Sequence, residues 1–296
     1  MKRHLIIILT VLFANLGLFA QEYVSPYYKV GTIDGDMHKA YQRVVSALKS
    51  KGFQILGTYH PAKKKSLQVI VFTRGDLKSV LSKVKDRGLL GAAQKVGLQQ
   101  KNGKIQVSYT NPDYMLRAYV RADYPKYKPV FDKFHTDLKN ALSSLGNEFT
   151  PFGGKEKASK LKKYHYKIMM PYFTDPIALK TFNSFEEGLQ TILRNVKSKP
   201  GVKLVYKVVN PATQTAVFGI ELTGQDASGE AYFLPKIGKD NLAALPYEII
   251  LQGNKATMLH GKYRLALFWP ELSMGQFMKI MSTPGKIEKR LRSVCE

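Results

Sequence analysis

Lys49-Ser50-Lys51-Gly52-Phe53-Gln54-Ile55-Leu56 ends one amphipathic run and opens an apolar one. Lys197-Ser198-Lys199-Pro200-Gly201-Val202-Lys203-Leu204-Val205 does the same with one proline more. Ahead of the first stretch, Met37, Tyr41, Val44, Val45 and Leu48 recur at helical spacing. Ahead of the second, Phe185, Leu189, Ile192, Leu193 and Val196 repeat those positions at a constant offset of 148. Such spacing buries one helix face. The glycine that follows suits the left-handed residue of a helix end, and the β-prone run after it suits a strand. The pattern predicts two tandem copies of one domain.

Working outward in the first copy, Tyr27 to Gly31 reads as a strand. Asp36 is placed to cap the helix, since its carboxylate can accept the free amides of the first turn. Residues 53–59 and 67–73 read as strands joined by a basic tip at Lys63-Lys64-Lys65, and residues 76–84 as a short helix. Residues 95–100 and 104–110 flank Asn102-Gly103, a strong two-residue hairpin signal. The second strand stops at Asn111-Pro112, and a long helix is expected over 129–145. In the second copy, residues 164–173, 202–209, 214–222, 230–236, 247–252 and 262–269 read as strands, with Trp269-Pro270 closing the last. Ser282-Thr283-Pro284 opens a final helix, proline being harmless in a first turn. The expected class is α+β: each unit is a β-α-β(4)-α-like antiparallel sheet with helices on one face. The boundaries read as a signal peptide over 1–20, a first repeat over 21–148, a basic linker over 149–163 and a second repeat over 164–296.

The chain has 296 residues, 46 Lys and Arg against 22 Asp and Glu, and a formal net charge of +24. Lys2-Arg3-His4 followed by the apolar run Leu5 to Phe19 has the form of a secretory signal, cut near Ala20/Gln21. A periplasmic or secreted protein is expected. Residues 21–150 carry 22 basic and 10 acidic side chains and residues 151–296 carry 22 and 12. An excess spread this evenly suits weak attraction to anionic surfaces rather than a nucleic-acid arm. The lone Cys295 allows no intrachain disulfide, so burial must hold both units.

Three short motifs resemble the bacterial family of domains of unknown function number 302: Lys51 to Leu56, Val107-Ser108-Tyr109-Thr110-Asn111-Pro112-Asp113-Tyr114, and Leu245-Pro246-Tyr247-Glu248-Ile249-Ile250. The resemblance implies a saddle-shaped sheet like that of TATA-binding-protein-like folds and brings no agreed activity. The second copy departs from it at Pro200 and Trp269, and the first lacks a Leu-Pro before Val96-Gly97-Leu98.

Common catalytic signatures are missing. There is no Gly-x-Ser-x-Gly elbow, no Walker loop, no His-Glu-x-x-His and no Cys-x-x-Cys, so no catalytic residue, metal ligand or cofactor is assigned. Glu186-Glu187 suits the first turn of a helix, and Gly224 to Gly229 reads as a turn between two strands. What remains is aromatic and cationic. Tyr109, Asn111, Tyr114, Arg117 and Tyr119 gather near one strand end, with Phe268, Trp269 and Glu271 in the matching stretch of the second copy. Tyr109, Asn111, Tyr114, Arg117 and Trp269 are the candidate ligand-binding residues, with aromatic faces below and an arginine at the mouth. The competing reading has these aromatics closing the core or the contact between units. The expected function is a non-enzymatic module binding a small apolar or anionic ligand, or a partner protein, in the cell envelope. The alternatives are a hydrolase with a dispersed site, and a basic protein that associates with anionic lipid or glycan.

Overall fold

A computed structural model describes residues 21–296; the expected signal peptide lies outside the described residues. The chain opens with β1 (Tyr23–Val24), β2 (Tyr27–Ile33), α1 (Met37–Ser50), β3 (Gln54–Tyr59), β4 (Leu67–Thr73) and α2 (Gly75–Leu81). It continues with β5 (Gln94–Lys101), β6 (Lys104–Thr110), α3 (Pro112–Val120) and α4 (Tyr124–Leu142). Next come β7 (Thr150–Phe152), β8 (Glu156–Lys157) and α5 (Ala158–Leu161). The second half holds β9 (Ile177–Thr181), α6 (Phe185–Ser198), β10 (Val202–Asn210), β11 (Thr215–Leu222) and α7 (Glu230–Ile237). It closes with β12 (Tyr247–Gln252), β13 (Lys255–Met258), α8 (Gly261–Phe268), α9 (Met274–Lys279) and α10 (Thr283–Cys295).

The protein is α+β, with antiparallel sheets ordered β3-β4-β5-β6-β2-β7 and β10-β11-β12-β13-β9. Leaving out the added β7, the two orders coincide strand for strand. Local chemistry explains the shared frame. Asp36 accepts the Lys39 amide at the start of α1, and Ser184 accepts the Glu187 amide at the start of α6. Each satisfies a backbone donor that the first helical turn leaves free. Asn102 and Gly103 take positive φ between β5 and β6, as a two-residue hairpin requires.

α1 packs on β3 and β5 and against α4, while α6 and α10 pack on the second sheet. The opposite faces of the two sheets meet. β4 and β11 are therefore buried along their whole length, because one face meets helices and the other meets the partner half. β3 and β10, both at sheet edges, cross at matching bulges, where register shifts between Ile55 and Gly57 and between Leu204 and Tyr206. The approach is so close that a Cβ on Gly57 would stand 2.1 Å from the Val205 carbonyl oxygen. Gly57→Ala is expected to cost about 1–3 kcal/mol, because backbone rather than a flexible side chain stands in the way. A Cβ at Gly75 meets nothing within 4 Å, so Gly75→Ala should be neutral or slightly stabilising. Urea unfolding of the two variants makes the comparison, and equal midpoints would refute the crossing.

Several expected elements differ. Residues 230–236 and 262–269, expected as strands, are helices α7 and α8. Residues 164–173 hold no strand, and the strand entering the second sheet is β9, at 177–181. Residues 112–120 form helix α3, with Asn111 accepting the Asp113 amide and Pro112 in the first turn. Its counterpart is not Trp269-Pro270 but His260, which accepts the Lys262 amide at the start of α8. The offset between these caps is 149, against 148 for α1 and α6. Residues 149–163 carry regular structure rather than reading as open linker. β7 pairs with β2, β8 pairs with β1, and α5 packs on α3.

Candidate functional site

The residues expected to bind ligand are mostly consumed by contacts within the first half and at its join to the second. Tyr114, fully buried in α3, donates its hydroxyl to the Leu267 carbonyl at 3.1 Å. Tyr27 donates to the Phe268 carbonyl at 2.8 Å. Asn111 caps α3 and donates its amide to the Ser25 carbonyl. Tyr109 stacks on Tyr28 and lies 3.2 Å from His135 Nε2. Burial pushes that imidazole down to about 4, so it is neutral near pH 7 and places no charge there. Arg117 pairs with Asp113 at 2.9 Å and Glu22 at 3.3 Å and lies over the Tyr124 ring. Trp269 is buried and lines a small crevice on the second half. Tyr109, Asn111, Tyr114, Arg117 and Trp269 therefore line no common cavity, and the aromatic side chains serve the core and the contact between halves.

That contact holds a buried charge cluster. Lys95 Nζ on β5 reaches Glu248 Oε1 on β12 at 2.6 Å. Arg264 on α8 stands 3.6 Å from the same carboxylate and donates to the Ala244 and Pro246 carbonyls. Its guanidinium lies 3.7 Å from the Tyr247 ring centre, a cation–π contact in a site closed to water. Tyr206, whose ring covers Gly219, points its hydroxyl at Glu248. A second buried acid, Glu230 at the start of α7, accepts from the Tyr59 hydroxyl and from the Ala62 and Leu222 amides. Gly224 to Gly229 does not join two strands; it runs from β11 into α7. Within that stretch Asp226 is tied to Ser228 and Arg290.

The open site is elsewhere. A groove of 1130 Å³ runs between the loop after α2, the junction of α3 with α4, and residues 161–174. Lys83, Lys85, Arg121, Lys126, Lys162 and Lys163 supply six cations to its lining, against Asp86 and Asp123. Asp86 is already engaged, by Arg87 Nε at 2.8 Å and Arg121 Nη2 at 2.5 Å. The Phe173 ring centre lies near both guanidinium groups, 4.4 Å from Arg87 and 5.1 Å from Arg121. Arg87 also donates to the Phe173 carbonyl. Arg87 Nη1 and Arg121 Nε have no acceptor among the described residues. Both arginines hold left-handed φ, 57° and 56°, a conformation that costs most side chains energy and gathers at binding sites. Tyr127, Tyr164, Tyr172 and Phe173 give the walls aromatic surface. Sequence reasoning missed this site because its residues come from stretches far apart in sequence: the end of the expected helix 76–84, the unassigned residues after Pro112, and the expected linker and strand over 149–173. The alternation of lysines with tyrosines in residues 162–172 was its one legible signal.

Cys295 is buried, and burial pushes its thiol up to about 12. It therefore carries little thiolate and cannot reach a second chain without local opening. Among the described residues, no three His, Cys, Asp or Glu side chains gather to hold a metal ion, and no helix is long and apolar enough to cross a membrane.

No curated protein matches the chain. Among solved structures, the crystal structure of an uncharacterized conserved DUF302 protein from Bacillus stearothermophilus is 16% identical, with a TM-score of 0.34, covering 40% of this chain and 95% of that one. The first half, residues 29–145, matches the family described as Domain of unknown function DUF302.

Proposed function

We propose that this chain is an exported binding protein, built from two copies of one domain, that holds an anionic ligand with apolar or ring surface in the groove between α2, α4 and residues 161–174. The observation that carries the reading is the charge of the groove: six cations line it against two carboxylates, and one of those, Asp86, is already held by Arg87 and Arg121. A carboxylate, sulfonate or phosphate would pair with these cations through charge-assisted hydrogen bonds. The tyrosine walls would cover an aromatic or aliphatic body. The groove's size suits a ligand of drug size or larger. The positive head and apolar run at the N-terminus support an envelope setting, and the shared order of strands supports duplication.

Native mass spectrometry of gently purified protein, before and after denaturation, tests whether a ligand travels with it. Titration with an anionic naphthalene sulfonate dye supplies a defined probe. Arg121→Gln should weaken dye binding and ligand retention about tenfold or more, the scale of one charged hydrogen bond. Lys126→Gln, at the exposed rim, should weaken them less and reduce the salt dependence. Retention and dye affinity unchanged in both variants would remove the groove from consideration.

A further inference from the structure

Among the described residues, seven of the eight large hydrophobic side chains that stand exposed fall in two short segments: Tyr166, Ile168, Met169 and Tyr172, and Met274, Met278 and Met281. Ile168 is 88% exposed and Met169 98%, in a loop that offers them no cover. The three methionines are spaced four and three residues apart along α9 and the turn after it, while Ile280 beside them is fully buried. The spacing sets the methionines on one side. The two segments are neighbours: Tyr166 and Met170 from one, and Leu272, Met274 and Phe277 from the other, line the same crevice of 90 Å³ beside Trp269. They form one patch rather than two scattered sets.

The stretches that carry the patch are mainly basic, with Asp175, whose carboxylate accepts the Tyr172 amide, and Glu271, next to Leu272, at their ends. No Asp or Glu occurs between Glu156 and Asp175 or between Glu271 and Glu288, whereas those intervals hold Lys162, Lys163, Lys167, Lys279 and Lys286. Those five lysines are exposed. Scattered exposed apolar side chains need no explanation, but a contiguous set rimmed by polar and charged residues marks an interaction surface. A second copy docked on this face about a two-fold axis would bring its lysines against these. A bilayer carrying anionic headgroups complements both parts, taking the apolar tips at the headgroup boundary and the lysines at the phosphates.

We propose that the face formed by residues 166–172 and 274–281 docks this protein on an anionic lipid surface. The surface goes beyond the ligand groove and does not depend on it, although residues 161–174 border both. The protein docks by shallow insertion of Ile168, Met169, Met274 and Met278, with the lysines supplying a salt-sensitive attraction.

The test is co-sedimentation with vesicles of phosphatidylglycerol and phosphatidylcholine, against vesicles of phosphatidylcholine alone. The protein begins at Gln21, because the apolar run before it would bind bilayers by itself; residues 21–296 hold both sheets and all their helices. The parent should bind the anionic vesicles, bind the neutral ones far more weakly, and be released by about 0.5 M salt. Ile168→Ser with Met169→Ser, and separately Met274→Ser with Met278→Ser, should each lower partitioning by about tenfold or more. All four side chains are exposed, so the thermal midpoint should stay where it is. Anionic-vesicle binding that both double variants leave unchanged would overturn the proposal, as would no binding at all. So would a concentration-dependent dimer in sedimentation velocity that the variants abolish, which would assign the patch to a second copy. Dye binding in the groove is read separately, so either conclusion can fail alone.

Discussion

Glu248→Ala is expected to lower the free energy of unfolding by about 3–5 kcal/mol, the cost of breaking a buried ion pair from one side. The loss exceeds that of the contacts themselves. Lys95 and Arg264, 4% and 1% exposed, would remain buried as two cations without their carboxylate, and neither can reach water without parting the halves. Lys95→Met should cost less, because Glu248 keeps Arg264 at 3.6 Å and the Tyr206 hydroxyl while the methionine refills most of the lysine's volume. Urea unfolding of the three proteins gives the order parent, Lys95→Met, Glu248→Ala. A Glu248→Ala loss below about 1 kcal/mol would show that solvent reaches the cluster and that the contact between halves is looser than described.

The second large effect is a dependence of stability on pH. Burial pushes the Glu230 carboxyl up to about 8, with Glu221 adding to the rise, while the Ala62 and Leu222 amides and the Tyr59 hydroxyl work against it. The unfolded chain binds that proton near the ordinary glutamate value of about 4.3. A folded pKa above the unfolded one means that the folded protein holds the proton more tightly. The stabilisation is therefore complete below the unfolded value and is lost as pH rises towards 8. The integrated loss is on the order of 5 kcal/mol. Glu230→Gln removes the proton and with it this slope. The variant should be the less stable protein near pH 4, because its amide brings a donor towards the Ala62 and Leu222 amides. It should close the gap or pass the parent by pH 8. Denaturant midpoints at several pH values check this, and parallel curves for the two proteins would show that Glu230 stays ionised in the fold.

The parts of the fold legible in the sequence were those governed by neighbours in sequence. The periodicity of α1 and α6, the Asp36 cap and the Asn102-Gly103 turn all depend on residues a few positions apart. The misread elements depended on the other half of the molecule. Ala231-Tyr232-Phe233-Leu234 and Leu265-Ala266-Leu267-Phe268 carry aromatic and aliphatic residues in a row. That composition suits a buried strand or a helix buried all round, and only tertiary packing decides between them. Pro112 was taken as a strand stop, although proline also opens helices; α3 was missed for that reason. The candidate site followed the same division. Aromatics clustered in the sequence proved to be core, while the groove draws Lys85, Arg121 and Tyr172 from segments that only the folded chain brings together.

The two hairpins fix which positions correspond. With two-residue turns at Asn102-Gly103 and Gly253-Asn254, Lys101 matches Gln252, so Glu248 matches Gly97 and Lys95 matches Pro246. The charges that meet across the join thus stand at positions with no charged counterpart in the other half. Two first halves placed face to face would oppose lysine to lysine with glycine where the acid is needed. Two second halves would oppose glutamate to glutamate. Each half supplies the counter-ion that the other lacks, and a mixture of separately made halves should assemble only as the heterodimer.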